Sequence, residues 1–394
     1  MKDLYEKCRN FTAAREAIAA GIYPYFHALE TGQDTEVIME GKRTIMIGSN
    51  NYLGLTSDSR VIKAAKDALD KYGTGCSGSR FLNGTLVLHI ELEKRLAAFL
   101  GKEAALTFST GFQTNLGILS TIAGRNEYIL CDNEDHASIV DGCRLGFAKV
   151  LKYEHDDMDD LEKKLSILPD AGKLIVSDGV FSMGGDICNL PAMADLANKY
   201  GARIMIDDAH GLGVIGRRGR GTGEHYNMAD KVDIIMGTFS KSLASLGGFI
   251  AGSEEMIHYV KHHSRPFIFS ASIPPSNAAS TLEALTILEN EPERVKALND
   301  NADYMREGLK ALHIPIGNSQ TPIIPIETGE NETTFLATRM LLDEGVYVNP
   351  VLAPAVKPGH CLLRTSYTAT HTREQLDFAL NAFRKVFEKI NSMQ

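Results

Sequence analysis

The sequence predicts an α/β fold in which a mostly parallel central sheet is joined to a smaller C-terminal α/β domain. Three observations point to it. Short runs that are apolar beyond their first residue recur at 128–131, 173–176, 203–206 and 233–236, with helical stretches between several of them. Runs of this kind suit strands buried on both faces, and helical crossovers suit parallel pairing. Each run is followed by a cluster of polar residues, and after about Asn318 the strand and helix pattern restarts on a smaller scale.

Taken in order, residues 4–26 read as one or two amphipathic helices forming a docking arm. Residues 35–39 and 43–47 form a short β section around the turn signal Gly41-Lys42. Asp58 suits the cap of a helix over 58–72, with Val61, Ala65, Ala68, Leu69 and Tyr72 on its buried face. A strand at 104–108 feeds a helix that starts within Ser109-Thr110-Gly111-Phe112. Pro191 suits the first turn of a helix over 191–200 that buries Met193, Leu196, Ala197 and Tyr200. Residues 249–251 add a strand, and a long helix from Pro275 is broken at Pro292. Strands at 323–326, 346–348 and 362–364, a helix around 335–342 and a last helix over 373–390 make the smaller domain. The expected division is 1–57 for the arm and β section, 58–290 for the large domain and 291–394 for the small one.

Composition narrows the function. A formal net charge of -9 gives no electrostatic reason to bind nucleic acid. Cys8, Cys76, Cys131, Cys143, Cys188 and Cys361 are scattered, with no CxxC pair and no zinc spacing. Reduced thiols in a cytoplasmic protein, and no metal site, are therefore expected. The start, Met1-Lys2-Asp3-Leu4-Tyr5-Glu6-Lys7, lacks the apolar core of a signal peptide. No apolar run approaches the roughly 20 residues that span a bilayer, so a lipid precursor would be met from the aqueous side, with peripheral membrane contact at most.

Ligands of open α/β sheets bind beyond the carboxyl ends of the strands. Four runs here deliver Asp135-His136, Ser177-Asp178 with Ser182, Asp207-Asp208-Ala209-His210, and Gly237-Thr238-Phe239-Ser240-Lys241 to one edge. A lysine in a crowded pocket can lose its proton and form a Schiff base, although Lys241 by position alone also fits a solvated surface lysine. Thr238 and Ser240 suit a phosphate. Asp207, ending an apolar strand, needs a partner if buried; a pyridinium nitrogen would serve, and so would a helix cap. His136 suits stacking on an aromatic ring and His210 a hydrogen bond to its substituent, while each also fits an ordinary structural histidine. The helix start at Gly111 and Phe112 offers backbone N–H groups to a phosphate, or is a plain cap. Gly211-Leu212-Gly213-Val214-Ile215-Gly216 matches the dinucleotide fingerprint, but Arg217-Arg218-Gly219-Arg220-Gly221 follows where a helix is needed.

The segments Gly237-Thr238-Phe239-Ser240-Lys241-Ser242 and Asp207-Asp208-Ala209-His210 closely resemble the α-oxoamine synthases, fold-type-I pyridoxal-phosphate-dependent transferases. The resemblance runs from Ser49-Asn50-Asn51-Tyr52-Leu53-Gly54-Leu55 to Arg364-Thr365-Ser366-Tyr367-Thr368-Ala369-Thr370-His371-Thr372. It implies pyridoxal 5'-phosphate as cofactor and an acyltransferase that joins an amino acid to acyl-CoA with loss of carbon dioxide. Lys241 then carries the cofactor and moves the proton, Asp207 pairs with the ring nitrogen and His136 stacks on the ring. Ser182 and His210 lie near the phenolic oxygen, and Gly111, Phe112, Thr238 and Ser240 hold the phosphate. Ser270 reaches the phosphate from the neighbouring subunit of a homodimer, and Arg364, with Asn51 close by, binds the substrate carboxylate. Gly73-Thr74-Gly75-Cys76-Ser77-Gly78-Ser79-Arg80, Phe181-Ser182-Met183-Gly184-Gly185-Asp186 and Pro354-Ala355-Val356-Lys357-Pro358 resemble the bacterial branch that uses L-serine and palmitoyl-CoA for sphingolipid synthesis. Gly184 departs from the acidic or larger residue of many relatives, and Tyr367 is expected to reshape the pocket, so cysteate and glycine stand as alternative substrates. A non-catalytic partner subunit is the alternative of a different class.

Overall fold

The computed structural model describes residues 3–353 and 355–393. Met1, Lys2 and Pro354, part of segments quoted above, lie outside the described residues. Two short helices, α1 Glu6–Arg9 and α2 Ala13–Ala19, come first and bury no residue. The expected arm thus exposes Leu4, Tyr5, Phe11 and Ile18 in the single chain. Strands β1 Glu36–Met39 and β2 Lys42–Met46 pair antiparallel across Gly41, whose φ of +68 suits glycine.

Helix α3 Ser59–Tyr72 is capped by Asp58, which accepts the Arg60 N–H. Then follow α4 Val87–Leu100, β3 Ala104–Phe108, α5 Gly111–Ile122, β4 Tyr128–Asp132, α6 Ala137–Leu145, β5 Lys149–Tyr153, α7 Met158–Ser166 and β6 Lys173–Asp178. The large domain continues with α8 Leu190–Tyr200, β7 Arg203–Asp207, α9 Thr222–His225, β8 Ile234–Thr238, β9 Gly248–Gly252, α10 Glu254–His263, α11 Arg265–Ile268 and α12 Pro275–Asn290. Its seven strands lie in the order β3-β9-β8-β7-β6-β4-β5. From β8 to β5 all pairings are parallel, and β9 alone runs against its neighbours. Strand β5 was not anticipated. It is a sheet edge with Lys149, Val150 and Lys152 exposed, so it lacks the continuous apolar run of its neighbours.

Helix α3 packs on α12. Val61 and Ala68 are buried there, but Leu69, expected on the same face, is exposed. A helix lying on the surface covers a narrower stripe than its apolar periodicity offers. Pro292 does more than break a helix: it precedes a second long one, α13 Glu293–Ala311. The remainder is β10 Ile323–Gly329, α14 Asn331–Asp343, β11 Val346–Tyr347, β12 Asn349–Val351, β13 Cys361–Ser366 and α15 Arg373–Asn391.

The strand expected at 346–348 is β11, and a further strand that was not expected, β12, follows it in another sheet. β11 adds in parallel to β2, whereas β12 pairs with β13 in the sheet β10-β13-β12. Ile45 and Ile47 accordingly share one core with Ile324, Leu363 and Phe383, so the N-terminal β section packs with the C-terminal segment. Among the described residues no helix is long and apolar enough to cross a membrane.

The glycine run after β7 is not a nucleotide loop. No helix follows it directly; α9 begins only at Thr222. Buried Asp208 accepts from the Thr222 N–H at 3.0 Å and its hydroxyl at 2.6 Å. A Cβ added at Gly211 or Gly221 would fall 2.0 or 2.4 Å from that carboxylate. These glycines make room for Asp208, whose pKa burial raises to about 7.

Candidate active site

Strands β4, β6, β7 and β8 are consecutive parallel neighbours, so their carboxyl ends open side by side. His136 caps α6 just past β4, Asp178 and Asp207 are the last residues of β6 and β7 and lie in register, and Lys241 stands in the turn beyond β8. Four separated stretches of sequence thus meet at one edge.

Asp207 is buried. Its Oδ1 accepts from the Ala209 N–H at 2.9 Å and its Oδ2 from Asn115 Nδ2 at 2.7 Å. A carboxylate has about four acceptor sites, so this one keeps capacity for a cationic partner. Asn115 Nδ2 also donates to Ser138 Oγ at 2.8 Å, and that hydroxyl lies 2.7 Å from His136 Nδ1. Asn115 therefore ties the carboxylate to the histidine. Asn115 was missed because an asparagine inside a helix belongs to no motif.

Lys241 is half-buried. Desolvation brings its amine down to about 8, against the pull of Asp207 and Asp178, with Arg364 adding a smaller repulsion. In cofactor-free protein, acylation of Lys241 by a small activated ester should rise with pH and reach half its plateau near about 8. A solvated lysine would need roughly 10.4, and that result would show that the pocket does not hold the amine down.

His210 is buried, and its pKa is pushed well below the ordinary value by desolvation, then by Lys241 and Arg364. The ring is therefore neutral. Its Nδ1 lies 2.7 Å from the hydroxyl of fully buried Tyr52. When the Tyr52 hydroxyl donates in this bond, the neutral ring carries its proton on Nε2. Tyr52 lies within a quoted motif, but the sequence assigned it no role.

At the opposite side, α5 begins with Gly111 and Phe112, whose N–H groups have no partner within a helix. Thr238 sits against this start, and a Cβ on Gly111 would come 2.8 Å from its Oγ1. Thr238 Oγ1 is 2.9 Å from Ser240 Oγ. Phe112 meets His136 edge-on, with ring centroids 6.2 Å apart. Ser270 accepts from Gln113 Nε2 of its own chain, so it borders the same helix start.

Arg364 is buried on β13. Its Nε donates to the Ser182 carbonyl and its Nη2 to Asn50 Oδ1 at 3.1 Å. Asn51 does not take the place expected of it. Its amide closes its own loop, donating to Thr56 Oγ1 at 2.7 Å and accepting from the Leu55 N–H at 3.1 Å. Asn50 is the neighbour of Arg364. Tyr367 lies fully buried in the C-terminal core with Ile324, Leu363 and Phe383.

Two further acids were noted in the sequence without a role. Asp135 accepts the N–H groups of Asp132 and Asp178, joining the ends of β4 and β6, and Asp178 accepts that of His136 at 3.0 Å. Burial, and then the charge of Asp178, raises the pKa of Asp135; burial, and then the charge of Asp207, raises that of Asp178.

A family model for class I and II aminotransferases matches residues 42–383. The chain belongs to the class I and II aminotransferase family. As such it is 55% identical over 98% of its length to a serine palmitoyltransferase of Sphingobacterium spiritivorum, covering 97% of that protein. It is 51% identical over 98% of its length to another from Bacteroides thetaiotaomicron, covering 99% of it. A solved structure described as SPT with PLP internal aldimine superposes with a TM-score of 0.96 at 38% identity, over 99% of this chain and 100% of that one. The α-oxoamine synthase branch expected from the motifs is borne out. In this aminotransferase-family chain the residues also fit the cofactor of the branch: a helix start and hydroxyls for a phosphate, a depressed lysine for an aldehyde, and a buried carboxylate with spare acceptor capacity for a ring N–H.

Proposed function

We propose that the protein is a pyridoxal-phosphate-dependent acyltransferase. It condenses L-serine with a long-chain acyl-CoA such as palmitoyl-CoA, releasing CoA and carbon dioxide and forming 3-ketodihydrosphingosine, the first step of sphingolipid synthesis. The observation that carries this reading is near-full-length likeness to serine palmitoyltransferases, in a chain that sets a depressed lysine across from a buried arginine.

Bound here, the cofactor would supply an aldehyde for the amino group and a ring that draws electrons from the α-carbon. Lys241 would anchor it covalently, and its Nζ would take the proton from the substrate Cα. Asp207 keeps a negative charge beside the ring nitrogen, with Asn115 fixing its orientation. His136 covers the ring face. His210 donates from Nε2 toward the ring substituent, with Ser182 nearby. Gly111, Phe112, Thr238 and Ser240 would hold the phosphate, joined by Ser270 of a second copy in the homodimer. Arg364 orients the amino-acid carboxylate by charge-assisted hydrogen bonds.

A homodimer and a cytoplasmic setting belong to the same proposal. The two N-terminal helices bury nothing in one chain, and Phe26 and Phe269 are 93% and 78% exposed. A second copy would cover apolar surface of this kind. Gly184 keeps cysteate and glycine in view as amino-acid partners. A non-catalytic role is disfavoured by Lys241, Asp207 and His136 standing together.

The test is thiol release from palmitoyl-CoA against a panel of amino acids. L-Serine is expected to drive CoA release faster than cysteate or glycine. Release with cysteate alone would move the function to sulfonolipid synthesis, and glycine with acetyl-CoA to a short-chain ligase. No release with any of them would remove the acyltransferase reading.

A further inference from the structure

The loop 181–186 carries Ser182, whose carbonyl takes the Arg364 Nε–H. Its neck is closed by the Phe181 N–H on the Asp186 carbonyl at 3.0 Å and the Gly185 N–H on the Phe181 carbonyl at 2.9 Å. One side is fastened to the C-terminal segment: the Gly185 carbonyl accepts from Thr321 Oγ1 at 2.9 Å and from the Gln320 N–H at 3.2 Å. The other side is fastened by one ring. His155, just past β5, places Nε2 3.0 Å from Asp186 Oδ2 and Nδ1 3.2 Å from Asp132 Oδ1. It also meets Phe181 edge-on, with centroids 4.4 Å apart.

A neutral imidazole has one N–H and would turn a lone pair toward one of the two carboxylates. Both nitrogens face acids here, so the ring is held as a cation. Its pKa is raised to about 10 by Asp132 first and Asp186 second. Asp186 reaches the ring because position 184 has no side chain: a Cβ on Gly184 would fall 2.1 Å from Asp186 Oδ1. Gly184, the departure noted in the sequence, thereby acquires a physical reason.

We propose that His155 is a positioning residue for the amino-acid substrate. With Asp186 and Asp132 it sets the loop whose Ser182 carbonyl aims Arg364, and Gly184 makes that clamp possible. The proposal rests on the reading of Arg364 as the carboxylate grip.

The experiment measures kcat, the KM for L-serine, the KM for palmitoyl-CoA and Tm for the holoenzyme and for H155A, D186N and G184D. Serine affinity is read independently by titrating the visible absorption of the bound cofactor. H155A and G184D are expected to raise the serine KM and Kd about tenfold, the scale of a charge-assisted hydrogen bond. kcat and the acyl-CoA KM should stay within about twofold. D186N, which keeps an acceptor for the ring, should show a smaller rise, and H155A/D186A should be no worse than H155A, as expected of one coupled unit. Unchanged serine affinity in H155A, or in D186N and G184D if H155A does not fold, overturns the proposal. So does a uniform fall of all parameters with Tm, which marks a merely structural role. A wild-type enzyme that binds serine without releasing CoA refutes the acyltransferase reading while the titration still decides the clamp. Failure to bind any amino acid overturns both.

Discussion

Replacing Lys241 with alanine should lower CoA release by roughly 10²–10⁴-fold or more, the range lost with a positioned proton-transfer group. It should also leave no cofactor covalently held after borohydride reduction and peptide mapping. The reason lies in where the amine stands. Desolvation alone would push it further down, but Asp207 and Asp178 draw it back to about 8. At neutral pH an appreciable fraction is therefore uncharged, while the protonated form is still within reach. An amine so balanced can both give and take a proton. Lys241→Arg is expected to fail as completely, because a guanidinium does not deprotonate in proteins. Wild-type turnover in the alanine variant, or a reduced adduct mapped to another lysine, would remove Lys241 from the mechanism.

The strands that build the site were legible because they are buried on both faces, which writes an unbroken apolar run into the sequence. Strand β5 has one wet edge and alternates too weakly to be seen. Helix α13 was legible in principle, since Val295, Leu298, Ala302, Met305 and Leu309 repeat at intervals of three and four. It was passed over because the proline before it read only as a stop.

Within the site, residues at strand ends were found by position, and those that hold them were not. Asn115, Tyr52, Asn50 and His155 act through hydrogen bonds across 92, 158, 314 and 31 positions of sequence respectively. No local pattern encodes such distances. The exchange of Asn51 for Asn50 has the same origin. Two adjacent asparagines are equivalent on paper, and the backbone of one tight loop decides which side chain faces Arg364. Leu69 and the N-terminal arm point the other way: their apolar pattern is real, but one chain alone does not bury it.

Arg364→Ala is the second large effect expected. The guanidinium is buried, with Nε on the Ser182 carbonyl and Nη2 on Asn50, and with Tyr52 OH 3.5 Å from the same Nη2. Those contacts fix the plane of the fork before any substrate arrives, so little side-chain entropy remains to be lost on binding. Two charge-assisted hydrogen bonds to a carboxylate are worth about 1.5–3 kcal/mol each, or roughly 10²–10⁴-fold in kcat/KM for the amino acid. The loss should fall on the amino acid, with affinity for the cofactor little changed, because the hydrogen-bond partners of Arg364 are the Ser182 carbonyl, Asn50 and Tyr52 and not Gly111, Phe112 or Thr238. Arg364→Lys should recover only a small part. A single ammonium cannot hold the Ser182 carbonyl, Asn50 and both carboxylate oxygens in one plane. Equal L-serine affinity in wild type and alanine variant, read by titration of the holoenzyme, would place the carboxylate grip on another residue.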